Sequence, residues 1–200
     1  MNKPFSQACE NNKEPIRRVL SQYVSGTTAI LEIGSGTGQH GDYITEVHQD
    51  ITWHTSDVAE NLAGINAWVD EAQRKNFLPP IELNINHAHW KRQPVDMVYS
   101  ANTAHIMHWQ EVELMFRFIP SCLKPSGYFF LYGPFNYNGE FTSESNAHFN
   151  QWLKEQAPHR AIRDFEAINE LAAQQQLVLI NDHAMPANNR TLVWQLSSTQ

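Results

Sequence analysis

The chain has 200 residues, a formal net charge of −7 and ten histidines. This acidic balance argues against general nucleic-acid binding, which requires a basic face. The polar N-terminal residues do not resemble a signal peptide, and no apolar run approaches the ~20 residues of a membrane span. Cys9 and Cys122 form no disulfide framework and lack metal-ligand spacing. We expect one cytoplasmic domain over residues 1–200, with no membrane contact and an oligomeric state that the sequence leaves open.

Apolar periodicity and turn residues predict helices and strands that alternate along the chain. Pro15 suits the first turn of the first helix, and Pro79-Pro80 is predicted to separate the third helix from the third strand. Residues 124–127 are predicted to form a turn before the fifth strand. The predicted helices cover residues 14–24, the segment from the glycine loop to 47, 61–75, 112–123, 145–156 and 165–175. The predicted strands cover residues 29–33, 51–56, 81–85, 95–100, 128–132, 177–185 and 191–196.

The alternation of strands and helices predicts an α/β fold with a mostly parallel sheet and helices on both faces. The last two strands are joined by a short connection, so they must be antiparallel. The expected sheet therefore has seven strands, of which the C-terminal strand is antiparallel. Ligands of such sheets bind beyond the carboxyl ends of the strands, and residues there are the site candidates. Residues 1–27 are expected to form a helical segment on that side.

The most specific motif, residues 32–38, reads Glu-Ile-Gly-Ser-Gly-Thr-Gly and ends the first strand. Its alternate glycines predict a loop whose backbone N–H groups, with the following helix N-terminus, face a ligand. Glu32 lies inside the apolar run and favours a cationic ligand over a pyrophosphate. Gln39 stands where the dinucleotide fingerprint requires a glycine. The alternatives are a tight turn without a ligand and a dinucleotide site that begins at Gly36.

This pattern resembles the first motif of class I methyltransferases that use S-adenosylmethionine (SAM), and the resemblance implies the Rossmann-like fold of that class with SAM as cofactor. Asp57, which ends the second strand, is expected to hold the ribose hydroxyls, with a helix N-cap as the alternative. Polar and apolar residues after the third and fourth strands are expected at the adenine and methionine ends. The predicted cofactor-binding residues are Glu32, Gly34, Ser35, Gly36, Gly38, Gln39, Asp57, Asn84, Ile85, Ala101 and Asn102.

Residues after the fourth and fifth strands and in the last turn are candidates for contact with a methyl acceptor. His105 is either a general base or an ordering hydrogen-bond partner, because its ordinary pKa lies near neutrality. Asn188 and Asn189 are either turn formers or substrate contacts. His105 and His108 have helical spacing, but no carboxylate or cysteine completes a metal site, and none is expected. The candidates are His105, Tyr132 and Asn136 for catalysis, and Phe135, Asn188 and Asn189 for substrate contact.

The chain also resembles, over most of its length, a family of short methyltransferase-like proteins catalogued as domain of unknown function 938. The matching segments are residues 12–16, 36–40, 56–57, 102–105, 132–135, 145–146, 162–164 and 185–189. Asn11 and Asn84 depart from that family's pattern, in which arginine and aspartate are common, and the second departure weakens the predicted adenine contact. The resemblance implies SAM binding and names no substrate.

The sequence therefore predicts SAM-dependent methyl transfer to a small or medium-sized acceptor. A module that binds SAM or its product, S-adenosylhomocysteine (SAH), without turnover is the first alternative. A nicotinamide-dependent (NAD) reductase is the second.

Overall fold

The computed structural model describes residues 3–198, so the predicted domain bounds of 1–200 include four terminal residues outside this range. The helices are α1 (Gln7–Leu20), α2 (Gln39–Val47), α3 (Ala59–Ala72), α4 (Trp109–Cys122), α5 (Glu144–Gln156) and α6 (Phe165–Gln174). The strands are β1 (Thr28–Ile33), β2 (Ile51–Asp57), β3 (Phe77–Glu82), β4 (Val95–Ala101), β5 (Leu123–Gly133), β6 (Phe135–Asn136), β7 (Arg163–Asp164), β8 (Leu177–Met185) and β9 (Asn189–Leu196).

Seven of these strands form one sheet in the order β3-β2-β1-β4-β5-β9-β8. Strand β9 runs antiparallel to both of its neighbours, and the other six strands are parallel to one another. The predicted fold, including the antiparallel C-terminal strand, is confirmed. A separate pair of two-residue strands, β6 and β7, was not predicted because so short a segment has no detectable periodicity.

Helices cover both faces of the sheet and give it two apolar cores. Ile30 and Leu31 of β1 are fully buried on opposite faces. Ile30 packs with Ile44 of α2 and Ile65 of α3, whereas Leu31 packs on the face that carries α4 and α6. Burial on both faces explains why the parallel strands have continuous apolar runs. Among residues 3–198, no helix is both long enough and apolar enough to cross a membrane.

The first helix differs from its prediction at both ends. It begins at Gln7 because the Ser6 side chain accepts a hydrogen bond from the Cys9 backbone N–H, and it ends at Leu20. Residues 7–13 are mostly polar, so periodicity did not detect this first part. Pro15 consequently lies inside the helix rather than in its first turn. The extension places α1 against α2, next to the glycine loop.

Two strands also differ from prediction. Strand β3 contains Pro79 and Pro80, which were expected to precede it, and ends before Ile85. Proline is tolerated because β3 is an edge strand and needs fewer backbone donors. Strand β5 begins at Leu123 and includes the predicted turn at residues 124–127, with a register irregularity opposite β4. Ser126, within this segment, has a φ of 62°, so the backbone departs locally from the extended conformation where the turn was predicted.

Candidate functional site

The glycine loop joins β1 to α2 at the carboxyl edge of the sheet. Gly34, Gly36 and Gly38 all have positive φ angles, of 73°, 57° and 91°. The backbone N–H groups of Gly34 and Ser35 both donate to the Ser56 carbonyl, at 3.0 and 2.9 Å, which ties the loop to β2. A Cβ atom at Gly34 would lie 2.7 Å from the Thr103 side chain, so the loop also packs against the segment after β4.

Gly36 is the point at which the loop faces open space. The residue is exposed, and no atom would lie within 4 Å of an added Cβ. Its backbone N–H donates to Asp57 Oδ2 at 2.7 Å. Asp57 Oδ1 accepts from Val58 N and Asn61 Nδ2, at 2.8 and 2.9 Å. The carboxylate thus organises both the loop and the start of α3, although Val58, not Asp57, is the N-cap residue.

The other predicted loop residues turn towards protein. Gln39 is buried, and its Oε1 accepts from the Ser6 backbone N–H at 2.5 Å. Ser35 is also buried, and its Oγ accepts from Ser56 N at 3.0 Å. Gly38 is the N-cap residue of α2. The Ser35 and Gln39 side chains therefore fix the loop to β2 and to the N-terminal segment, and cofactor contact by these two residues stays a prediction.

Glu32 lies beneath the loop and not on its surface. Only 1% of the residue is exposed. Its Oε2 accepts from Trp53 Nε1 at 2.9 Å, and its Oε1 lies 3.5 Å from His40 Nδ1. The carboxylate therefore has partners inside the protein, and its contact with a cationic ligand stays a prediction.

His40 connects Glu32 to helix α1. Its Nε2 donates to Asn12 Oδ1 at 2.7 Å, while its Nδ1 faces the Glu32 carboxylate. Both partners are acceptors, so both ring nitrogens carry protons. Burial lowers the pKa of His40, but hydrogen bonds to Cys9 and Glu32 outweigh burial and raise this pKa to about 9. A buried imidazolium therefore links β1, α2 and α1 below the loop.

The residues predicted at the adenine lie in different surroundings. Asn84 is exposed and accepts from the Asn86 backbone N–H at 3.0 Å, at the start of a short 3-10 turn. It also borders a cavity of about 310 Å³ beside the end of β3. Ile85 is buried in the core that contains α4. Adenine contact by these two residues stays a prediction.

A cavity of about 380 Å³ lies beyond the ends of β4 and β5. It adjoins the glycine loop through Thr103, which touches Gly34 and follows Asn102 in the chain. The predicted residues Asn102, Tyr132 and Asn189 meet here. Three elements contribute the wall: α1 (Ala8, Asn11, Asn12), the strand ends (Asn102, Tyr132, Pro134), and α5 with the last turn (Ser145, Asn146, Phe149, Pro186, Ala187, Asn189).

The sequence placed the N-terminal helical segment on this side of the sheet, but it did not single out Asn12 or Phe149 as wall residues. Asn12 and Asn146 are buried amides, and Phe149 is partly buried. In the sequence, the two asparagines are polar residues on the inner face of a helix. Such residues interrupt the apolar periodicity from which a buried helix face is predicted. Recognising Asn12 also required the true start of α1. Ala101, predicted near the methionine end, is partly buried at the end of β4 beside Asn102.

Four predicted acceptor residues, namely Phe135, Asn136, Asn188 and His105, are absent from the described wall of this cavity. Phe135 is 2% exposed and packs in the core, and its substrate contact stays a prediction. Asn136 is buried in β6, paired with Asp164. Asn188 has a φ of 56°, and its backbone oxygen accepts from Asn146 Nδ2, so its role as a turn former is favoured.

His105 lies behind Phe149, with 5.5 Å between the ring centroids. Burial and the positive charges of Arg163 and Arg160 lower the pKa of His105 to about 4. The imidazole is neutral at pH 7, and this pKa is poorly matched to a general base. A catalytic role for His105 stays a prediction that this pKa does not support. His108 stacks on His159, and residues 3–198 contain no group of three His, Cys, Asp or Glu placed to hold a metal.

The buried Glu32–His40 pair predicts a pH-dependent stability. The pKa of His40 is raised above its ordinary 6.5, so the stabilisation is complete below pH 6.5 and is lost as pH rises through about 9. The unfolding free energy should fall over this range by on the order of 3 kcal/mol. The double variant Glu32→Gln/His40→Gln removes both charges and should lack this fall, as measured by urea unfolding at several pH values.

The control is His89→Gln, which replaces an exposed histidine and should retain the wild-type profile. A wild-type unfolding free energy that stays constant between pH 6.5 and 9 would contradict a buried imidazolium at His40.

Solved structures with 10–15% sequence identity share this fold. An O-methyltransferase family protein from Burkholderia thailandensis is 15% identical, with a TM-score of 0.80 over 96% of this chain and 58% of that chain. Human N-acetylserotonin methyltransferase in complex with SAM is 10% identical, with a TM-score of 0.80 over 96% of this chain and 53% of that chain. An O-methyltransferase family 2 protein from Planctomyces limnophilus in complex with apigenin is 10% identical, with a TM-score of 0.76 over 94% and 59%.

The present chain spans little more than half the length of these three proteins. At such identities the similarity establishes a class I methyltransferase fold. A model of the family described as "Protein of unknown function (DUF938)" matches residues 3–196, which is nearly the whole chain. The chain belongs to this family.

Proposed function

We propose that this protein transfers a methyl group from SAM to a small-molecule acceptor. The observation that carries the proposal is the open space over Gly36, bordered by the Asp57 carboxylate and adjoining the cavity at Asn102. A loop that lacks side-chain atoms admits a nucleoside against its backbone. A carboxylate at the end of β2 matches the ribose hydroxyls of a nucleoside. The residues present therefore fit SAM.

The chain's own groups would bind and orient the reactants. SAM, when bound, supplies a methyl group activated by a sulfonium. Asp57 would accept hydrogen bonds from the ribose, and the backbone around Gly36 would contact the amino-acid end. Asn102, held in a left-handed conformation by the hydrogen bond from its N–H to the Tyr132 carbonyl at 2.9 Å, would separate cofactor and acceptor. Helix α1 forms one side of the cavity and would limit the access of water, which favours in-line transfer.

The size and position of the cavity favour a small acceptor. A volume of about 380 Å³ lies within the range of roughly 300–1,000 Å³ that is usual for small-molecule sites. Two of the similar structures are named for small molecules, N-acetylserotonin and apigenin, respectively. The wall of the cavity comes from both ends of the described chain, so the acceptor would be enclosed by α1, α5 and the last turn.

Thermal unfolding with added ligands tests the proposed cofactor. SAH at about 100 times its dissociation constant should stabilise the protein by about 2.7 kcal/mol and raise its melting temperature. NADH at the same concentration should leave the melting temperature unchanged. Stabilisation by NADH and not by SAH would overturn the proposal. Binding of SAH without methyl transfer to any acceptor would instead favour the non-catalytic binding module.

Gly36→Val should abolish SAH binding while the protein remains folded. The added side chain would fill the space over the loop, where no atom would lie within 4 Å of the new Cβ. Valine at a positive φ adds strain of about 1–3 kcal/mol, so a control with equal strain is needed. Gly26 provides it, since it has a φ of 63° and equally open surroundings before β1, at the opposite edge of the sheet.

Gly26→Val should lose similar stability and bind SAH with wild-type affinity, as measured by calorimetry. Equal affinity of the two variants for SAH would show that the ligand does not approach Gly36.

A further inference from the structure

The cavity beside Asn102 has an uncharged wall. Asn11, Asn12 and Asn146 contribute amides, and Tyr132 and Phe149 contribute aromatic rings. Among residues 3–198, no aspartate, glutamate, lysine, arginine or histidine belongs to this wall. An ionised acceptor would lose its hydration on entering and would gain no opposite charge. The cavity therefore favours an acceptor that is neutral at physiological pH.

The wall offers hydrogen bonds of both kinds. Asn146 donates through Nδ2 to Thr142 Oγ1 at 2.9 Å and to the Asn188 carbonyl at 3.2 Å, so its Oδ1 is the atom left to accept. The amide oxygen of Asn12 is bonded to His40 and its side chain also hydrogen-bonds Tyr132, so one of the two N–H groups of Nδ2 is left to donate. A neutral molecule with both a polar hydrogen and a lone pair would match these two amides.

The groups around the cavity are poorly suited to remove a proton from an acceptor. Burial and two arginines lower the pKa of His105, behind Phe149, to about 4. Burial raises the pKa of Tyr132. His40, behind Asn12, has a pKa of about 9 and is already protonated at neutral pH.

The remaining titratable groups near these elements do not change this picture. Burial raises the pKa of Cys9, on α1, but His40 beside it outweighs burial and lowers this pKa; Cys9 is not part of the cavity wall and instead adjoins the glycine loop, where Thr37 Oγ1 is 4.0 Å from its sulfur. Glu144 and His148, on α5, are exposed and outside the wall. Arg160 and Arg163 lie beside His105 and are cations. An acceptor that must first lose a proton, such as a hydroxyl or a thiol, therefore has no well-matched base.

We propose that the acceptor is a neutral aromatic nitrogen heterocycle, methylated on a ring nitrogen that carries a free lone pair. This inference rests on the proposed function. An aliphatic amine is largely protonated at neutral pH. It therefore carries a charge, and its nitrogen has no free lone pair to form the new bond. A carboxylate is excluded by its charge.

The chemical step then needs no base. The ring nitrogen's lone pair forms the new N–C bond, while the S–C bond of the methyl group breaks and its electron pair remains on sulfur. No proton leaves during the step. The positive charge passes from the sulfonium to the heterocycle, so the site holds one positive charge before and after transfer. Tyr132 and Phe149 place aromatic rings in the wall, and such rings attract cations.

Binding to the SAH-loaded protein tests the inference without turnover. The probes are benzimidazole, a benzimidazole carboxylate, and hydroxyindole, which are similar in size. Calorimetry should show that benzimidazole binds at least about tenfold more tightly than its carboxylate. Phe149→Leu should weaken benzimidazole binding about tenfold, whereas Phe141→Leu, an exposed residue outside the wall, should not. Both variants should keep wild-type affinity for SAH.

Turnover with SAM supplies the second measurement. Mass spectrometry should detect one added methyl group on benzimidazole and none on the hydroxyl of hydroxyindole. The rate should be independent of pH between about 7 and 9, whereas a base-dependent reaction would rise with pH. O-methylation of hydroxyindole, tighter binding of the carboxylate, or no binding of benzimidazole to the SAH-loaded protein would each overturn the inference. Failure of SAH itself to bind would overturn the proposed function instead.

Discussion

The buried pair of Glu32 and His40 is the interaction on which the arrangement of the site depends. Glu32 ends the apolar run of β1, His40 lies in the first turn of α2, and Asn12 extends the chain of hydrogen bonds to α1. Removing one partner of a buried pair typically costs about 3–5 kcal/mol, because an unpaired charge remains. The pair therefore holds three elements together directly beneath the glycine loop, and it explains a carboxylate that would otherwise be out of place in a strand.

The loop and the cavity owe their positions to the order of the strands. Strands β1 and β4 are neighbours in the sheet, and the connections that follow them lie on opposite faces of the sheet. Their carboxyl ends therefore leave a crevice between them. The Gly34 loop and Thr103 meet at this crevice. Strand β8 runs parallel to β5, so the last turn, between β8 and β9, lies at the same edge of the sheet, where it faces α1. Residues distant in sequence thus enclose one cavity.

The sequence was informative where a pattern has one physical explanation. Alternation of apolar strands with amphipathic helices predicted the sheet, and strand ends correctly brought Asn102, Tyr132 and Asn189 together. The direction in which each side chain points was harder to predict from the sequence. Glu32 and Gln39 belong to the glycine motif, yet both face the protein interior, because their partners come from distant elements, Trp53 and Ser6.

Three further features were not predicted, each for a different physical reason. Periodicity detects apolar stripes, so it missed the polar start of α1, and with it Asn12 in the wall of the cavity. The preference of proline for turns led to the wrong prediction that Pro79 and Pro80 precede the third strand. They lie within it, because an edge strand tolerates proline. The low pKa of His105 could not be predicted, since it depends on arginines more than fifty residues away.

The central claim is that the Gly36 loop and Asp57 hold SAM with its sulfur directed at the amide-lined cavity. A crystal structure of the protein with SAH tests it most directly. The account predicts ribose hydroxyls within about 3 Å of the Asp57 carboxylate, the usual hydrogen-bond distance, and the sulfur atom beside Asn102. SAH bound elsewhere, or bound with its sulfur facing away from Asn102, would contradict the account.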